Sequence, residues 1–121
     1  MKKNELLSVK DVCRKYGITR KTLFYYDRIG LIRPAQRVGT QMHKMYGEME
    51  VRKLEEVLSC RQAGLKVSEI RHLLTASLSR QESISFLQEV RERLVRERKV
   101  KDREISNLDA KIARLMEKEE T

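Results

Sequence analysis

The residues with most capacity for chemistry lie between Thr19 and Tyr46, and they suit recognition of a polyanion. Thr19-Arg20-Lys21-Thr22 sets two hydroxyls around two long cations at consecutive positions. At the start of a helix, an arginine can reach a guanine edge through two parallel hydrogen bonds, and a lysine can meet phosphate as a point charge. The plainer reading makes both cations solvated surface charges, with Thr19 only a helix cap. Arg33 and Arg37 add two candidate phosphate partners from a loop. Other reactive types are sparse. Cys13 and Cys60 stand far apart, with no C-x-x-C pair and no histidine at ligand spacing. His43 lacks a second ligand, and His72, beside Leu73, suits surface or helix packing. No metal or other cofactor is expected. Without a nucleophile–base set or a phosphate loop, an enzyme is not expected either.

The charge is uneven along the chain. Residues 1–47 hold eleven Lys or Arg against three Asp or Glu, residues 48–75 hold five of each, and residues 76–121 hold eleven against ten. Nearly all of the formal +9 therefore belongs to the first 47 residues, as a polyanion-binding face requires. With 121 residues the chain suits one domain. Its 37% charged residues, 5% aromatics and single proline indicate a helical protein with few loops. No stretch has the length of a membrane span, and the basic amino end, Met1 to Leu7, leads into no apolar core of a signal peptide. Two isolated cysteines in an unexported chain point to the reducing cytoplasm.

Local signals then mark the elements that must position these residues. Ser8 caps a first helix, with Asp11 three residues on as an unusual capping-box acid and Leu7 and Val12 as a hydrophobic staple. Val9, Val12, Cys13 and Tyr16 share one face, and Gly17 closes the helix. Thr19 caps a second helix that turns Leu23, Tyr26 and Ile29 inward as far as Gly30. Only Gly17, Ile18 and Thr19 separate the two, which is the outline of a helix-turn-helix. Ala35 to Tyr46, with its Val38-Gly39-Thr40 turn signal, predicts a small β-hairpin, or wing. Gly47 opens a third helix that ends at Gly64, and a short fourth helix carries Val67, Ile70, Leu73 and Leu74.

Ser79 and Glu82 form a second capping box, and neither Gly nor Pro occurs again before Thr121. Leu87, Leu94, Ile105, Leu108, Ile112 and Leu115 keep a heptad register among charged residues. A helix of about 40 residues would be about 60 Å long, too long to bury its stripe on a small head. A second copy is the expected partner, which makes the protein a homodimer paired through this helix. The register also brings Arg91, Arg98 and Lys101 to seam positions. A local register shift, pairing with acids on the partner, or divergence of the two helices would each account for them. The expected division is a DNA-binding domain over residues 1–76 and a dimerisation helix over residues 79–119.

Leu6 to Leu74 resembles the DNA-binding domain of the MerR family of transcription regulators. The resemblance rests on Ser8-Val9-Lys10-Asp11-Val12, Gly17-Ile18-Thr19 and Thr22-Leu23-Phe24-Tyr25-Tyr26-Asp27. It continues through Ile29-Gly30-Leu31-Ile32-Arg33-Pro34, Tyr46, Leu54 and Gly64-Leu65-Lys66-Val67-Ser68-Glu69-Ile70. It implies a mostly α fold, a winged helix-turn-helix head followed by a long antiparallel coiled-coil helix. It also implies that Tyr25 approaches the DNA backbone, whereas spacing makes Tyr26 mainly core. Phe24 departs from the family's usual arginine, and could pack under the wing or touch sugars. Where the family favours Gly-Tyr-Arg before the final tyrosine, this chain has Met42-His43-Lys44-Met45-Tyr46. Lys44 keeps the charge without the fork, His43 replaces an aromatic hydroxyl, and Tyr46 is either a DNA contact or a core residue.

The resemblance implies a dimer bound to an inverted repeat in double-stranded promoter DNA, distorting it for RNA polymerase. An architectural or excisionase-like DNA-bending protein is the alternative. The expected DNA-contacting set is Thr19, Arg20, Lys21, Thr22, Tyr25, Tyr26, Arg33, Arg37, His43, Lys44 and Tyr46. No cysteine follows Cys60, which disfavours cysteine-based metal sensing. With the sequence ending soon after Leu115, three options stand: no small-molecule effector, the front part of a longer chain, or an effector that meets the helix pair.

Overall fold

The computed structural model describes residues 5–120, with side chains through Lys118. The first four residues of the expected head, Lys2 and Lys3 among them, lie outside that range. The chain divides into two units between His72 and Leu73.

The first unit begins with a short strand, β1 (Leu7–Ser8), that leads directly into α1 (Val9–Tyr16). Ser8 caps α1 through both halves of the expected box: its Oγ accepts from the Asp11 amide at 3.2 Å, and its own amide donates to Asp11 Oδ2 at 3.3 Å. The shorter acid therefore closes the box as Glu would. Gly17 ends α1 at φ 65°, a left-handed conformation that costs a glycine little. After Ile18 and the Thr19 cap, α2 (Arg20–Arg28) follows. The chain then crosses to a hairpin of β2 (Gln36–Val38) and β3 (His43–Tyr46). Gly39 at φ 80° and Met42 at φ 53° turn the hairpin, so the bend lies slightly later than the Val38-Gly39-Thr40 signal indicates.

The strands order β1-β3-β2, all antiparallel, with Leu7 opposite Tyr46 and Arg37 opposite Lys44. Sequence reading misses β1, because two residues are too few to show an alternation. Its pairing ties the start of α1 to the wing.

α3 (Glu48–Gln62) and α4 (Val67–Thr75) complete the head's helices. Glu50 accepts from the Gly47 amide at 3.0 Å, which supports the start of α3. Arg71 on α4 donates to the Ile29 carbonyl at the end of α2. Val12, Leu23, Ile32, Val57 and Ile70 are wholly buried. Each such burial is worth about 1.5–3 kcal/mol relative to exposure, so this apolar contact is what holds α2 in place.

The second unit is dominated by α5 (Arg80–Glu120), 41 residues long and about 60 Å at the ordinary helical rise. Ser79 and Glu82 form its capping box, with both bonds at 3.1 Å. Leu87, Ile105, Leu108, Ile112 and Leu115 are between 41% and 64% exposed in the single chain. Within the seam interruption, Lys101 pairs with Glu104 one turn on, at 3.1 Å. Among the described residues, no helix is long and apolar enough to cross a membrane.

Candidate nucleic-acid interface

The candidate interface is built on the first turn of α2. Thr19 caps it, its Oγ1 accepting from the Thr22 amide at 3.1 Å and donating to Thr22 Oγ1 at 3.0 Å. Both hydroxyls are thereby held within the helix start. Arg20 and Lys21 project from that turn and are exposed. The helix start carries no acidic residue, so nothing local neutralises these cations or the positive end of the helix dipole. Leu23 and Tyr26 anchor α2 in the core, and this fixes the helix from which Arg20 projects.

An open groove of about 700 Å3 runs between the start of α1, α2 and the hairpin. Lys10, Arg20, Phe24, Met42, His43 and Lys44 are among its walls. The groove gathers Arg20, His43 and Lys44 from separate stretches of the expected set and adds Lys10, which sequence reading leaves aside. Its only earlier signal is its place in the family motif. Phe24 and Met42 give the groove apolar wall, and Phe24 is partly covered by Lys44, whose Nζ stands 4.0 Å from the ring centroid. Phe24 thus packs against the wing, the first of the two roles open to it. Tyr25 is partly exposed, and Arg28 lies 5.5 Å from its ring centroid.

Two tyrosines of the expected DNA-contacting set do not belong to the surface. Tyr26 is 5% and Tyr46 1% exposed, so neither ring is presented to a duplex. Tyr26 lies on the inward face of α2, and Tyr46 ends β3 where the sheet meets α3. Burial, with the nearby Asp27 carboxylate, pushes the Tyr46 hydroxyl up to about 12.

Asp27 is the functional-site residue that sequence reading misses. Among the described residues of the head it is the buried charged one, 5% exposed, and it pairs with cations from the wing. Arg37 Nη2 donates to both of its carboxylate oxygens at 3.0 Å, and Lys44 Nζ lies 2.9 Å from Oδ2. Arg33 stands further off, 3.9 Å away, and stays largely exposed. Burial pushes the Asp27 carboxyl up, but hydrogen bonds from Lys44 and Arg37 outweigh it and hold the group below its ordinary value. Two cations of the expected DNA-contacting set, Arg37 and Lys44, are therefore already engaged within the head. Among the described residues, no group of three His, Cys, Asp or Glu side chains is placed to hold a metal ion.

Residues 7–77 match the model of the MerR HTH family regulatory proteins. The HTH-type transcriptional regulator ZntR homolog of Haemophilus influenzae is 25% identical over 112 residues, covering 93% of this chain and 82% of that protein. The crystal structure of a MerR family transcriptional regulator from Bacillus cereus is similar with a TM-score of 0.77 at 21% identity, covering 87% of this chain and 78% of that one. That of HiNmlR, a MerR family regulator lacking the sensor domain and bound to promoter DNA, is similar with a TM-score of 0.57 at 16% identity, covering 81% of this chain and 80% of that one. At these identities the two structures speak for the fold alone. The family model covers more than half of the sequence, and the chain belongs to the MerR family of helix-turn-helix regulatory proteins, which are DNA-binding transcription regulators and not enzymes.

Proposed function

We propose that this regulator binds an inverted-repeat promoter site as a homodimer, one head to each half-site, with the first turn of α2 in the major groove. The observation that carries the reading is Arg20, exposed beside Lys21 on a capped helix start and lining a groove with Lys10 and His43. Arg20 would meet base edges, while Lys21, Tyr25, Arg33, Lys10 and His43 would meet the backbone. The paired hydroxyls of Thr19 and Thr22 set the helix start, and phosphate contact is secondary for them. HiNmlR, a MerR family regulator of similar fold that is bound to promoter DNA, supports the reading.

The stripe of α5, exposed at Leu87, Ile105, Leu108, Ile112 and Leu115 and half-buried at Leu94, supports pairing with a second copy. Two heads held a helix span apart select half-sites at a set spacing. Distortion of the DNA between them would bring promoter elements into register for RNA polymerase. The working compartment is then the cytoplasm, where bacterial promoters and polymerase are found. The excisionase-like alternative finds no support in a match to regulatory proteins.

Footprinting of bound sites across the genome tests the reading. Inverted repeats inside promoters are the expected result. Single half-sites, or sites with no relation to promoters, would sink it.

A further inference from the structure

We propose that Asp27 is a positioning residue for DNA recognition, locking the wing to α2 and keeping Arg37 and Lys44 away from phosphate. The inference rests on the DNA-binding reading above, but its origin is a conflict within the hairpin. Arg37 and Lys44 are direct partners across the β2–β3 ladder. Like charges set opposite each other on one face of a sheet repel, and such a pair alone would weaken a short two-stranded wing. The Asp27 carboxylate resolves the repulsion, since it receives Arg37 at 3.0 Å and Lys44 at 2.9 Å.

The need is mutual. A buried carboxylate without partners would be strongly disfavoured, and the wing supplies its two cations. Asp27 belongs to the helix that carries Arg20, so the wing's position is tied to the helix that reads bases. Lys44 fixes Phe24 as well, with its ammonium over the ring at 4.0 Å, which joins a second point of α2 to β3. Side-chain exposure agrees: 36% for Arg37 and 22% for Lys44, against 67% for Arg33, which reaches the carboxylate only at 3.9 Å. Arg33 is thus the loop cation left for phosphate.

The consequence is a trade of affinity for geometry. Each phosphate contact adds about 0.9 to the slope of log affinity against log salt. Releasing Arg37 and Lys44 makes up to two further contacts available per head, while the freed wing no longer holds one orientation against α2.

The test compares the unmodified chain with Asp27→Asn and Asp27→Glu. The probes are a duplex enriched from a random pool by the unmodified chain and a random duplex of the same length. Asp27→Asn should lower the preference for the enriched duplex about tenfold and steepen the salt slope by up to about 2 per head. Without DNA, it should speed hydrogen exchange at the β2–β3 ladder amides at least about tenfold and leave α3 amides unchanged. Asp27→Glu, which keeps the charge, should restore most of the preference. Unchanged exchange with unchanged preference would overturn the proposal, as would equal losses on both duplexes with a flatter slope. Should Asp27→Asn fail to fold, Arg37→Gln probes the same lock: faster exchange confined to the hairpin supports it, and unchanged exchange overturns it. If the unmodified chain enriches no duplex, the DNA reading fails and the role in recognition falls with it. The exchange arm would still reveal whether the lock exists, which separates the two failures.

Discussion

The head and the outer part of α5, from Ile105 onward, treat the same residue types in opposite ways. In the head, aliphatic residues at three-and-four spacing vanish from solvent: Val12, Leu23, Val57 and Ile70 have no exposed surface. Along α5, the same spacing leaves Ile105, Leu108, Ile112 and Leu115 more than half exposed. Periodicity therefore reports that an apolar face exists, but not what covers it. Short helices separated by tight turns can fold on one another, whereas a single helix of 41 residues has no turn by which to cover its own stripe.

The strongest way to break that contrast is to charge the stripe. Leu108→Lys together with Leu115→Lys removes two buried leucines from each copy of the proposed dimer. At about 1.5–3 kcal/mol for each side chain, dimerisation should weaken on the order of 10^4-fold or more. Sedimentation over a range of concentrations checks it. A native chain that is already monomeric at micromolar concentration would remove the second copy from the account.

A large effect in the head should come from Leu23→Ala, which leaves a cavity beneath α2 and should cost about 2–5 kcal/mol in urea unfolding. Leu108→Ala, studied at concentrations where the chain is monomeric, should cost far less. Similar losses at the two positions would mean that α5 is covered within its own chain.

The proposed DNA-facing side offers a smaller effect. Arg20→Ala should reduce discrimination between the enriched and random duplexes by about 1–3 kcal/mol. Tyr25→Phe removes a single hydroxyl and should weaken both duplexes alike, by about 0.5–1.5 kcal/mol. Competition binding with both duplexes separates the two patterns. If neither substitution changes binding, α2 does not enter the groove by its first turn.

Acid should produce the smallest change in the head, through Asp27. A carboxyl held below its ordinary value contributes stability that is present above that value and lost as pH falls through the folded one. The stability gap between the native chain and Asp27→Asn should therefore be full at neutral pH and shrink as pH falls below 3.8, the ordinary value. Urea midpoints at a series of pH values measure the gap. A gap that stays constant into acid would mean that Asp27 carries no folded-state charge advantage.

Much of this architecture is legible because it is local. The Ser8–Asp11 and Ser79–Glu82 boxes, the Thr19 cap and the Gly17 stop each act over three or four residues, and each appears where the sequence indicates. The hairpin is legible from its turn residues. Other features hide because their partners are remote. Leu7 pairs with Tyr46 and so creates β1, while Asp27 meets Arg37 and Lys44 across a loop. Helical spacing already assigns Tyr26 to the core, but the two readings of Tyr46 needed its burial to separate them.

By itself, the sequence determined the helix boundaries, the concentration of positive charge in the first 47 residues and the unbroken final helix. Each of these follows from short-range hydrogen bonding, backbone freedom or simple composition. Tertiary structure alone decided which cations face outward. Arg20 and Arg37 are the same residue type in the same basic stretch, yet one lines an open groove and the other is bound to a buried carboxylate. Charge belongs to the residue, but its availability depends on what the fold brings within 3 Å of it, and that distance is not written in sequence order.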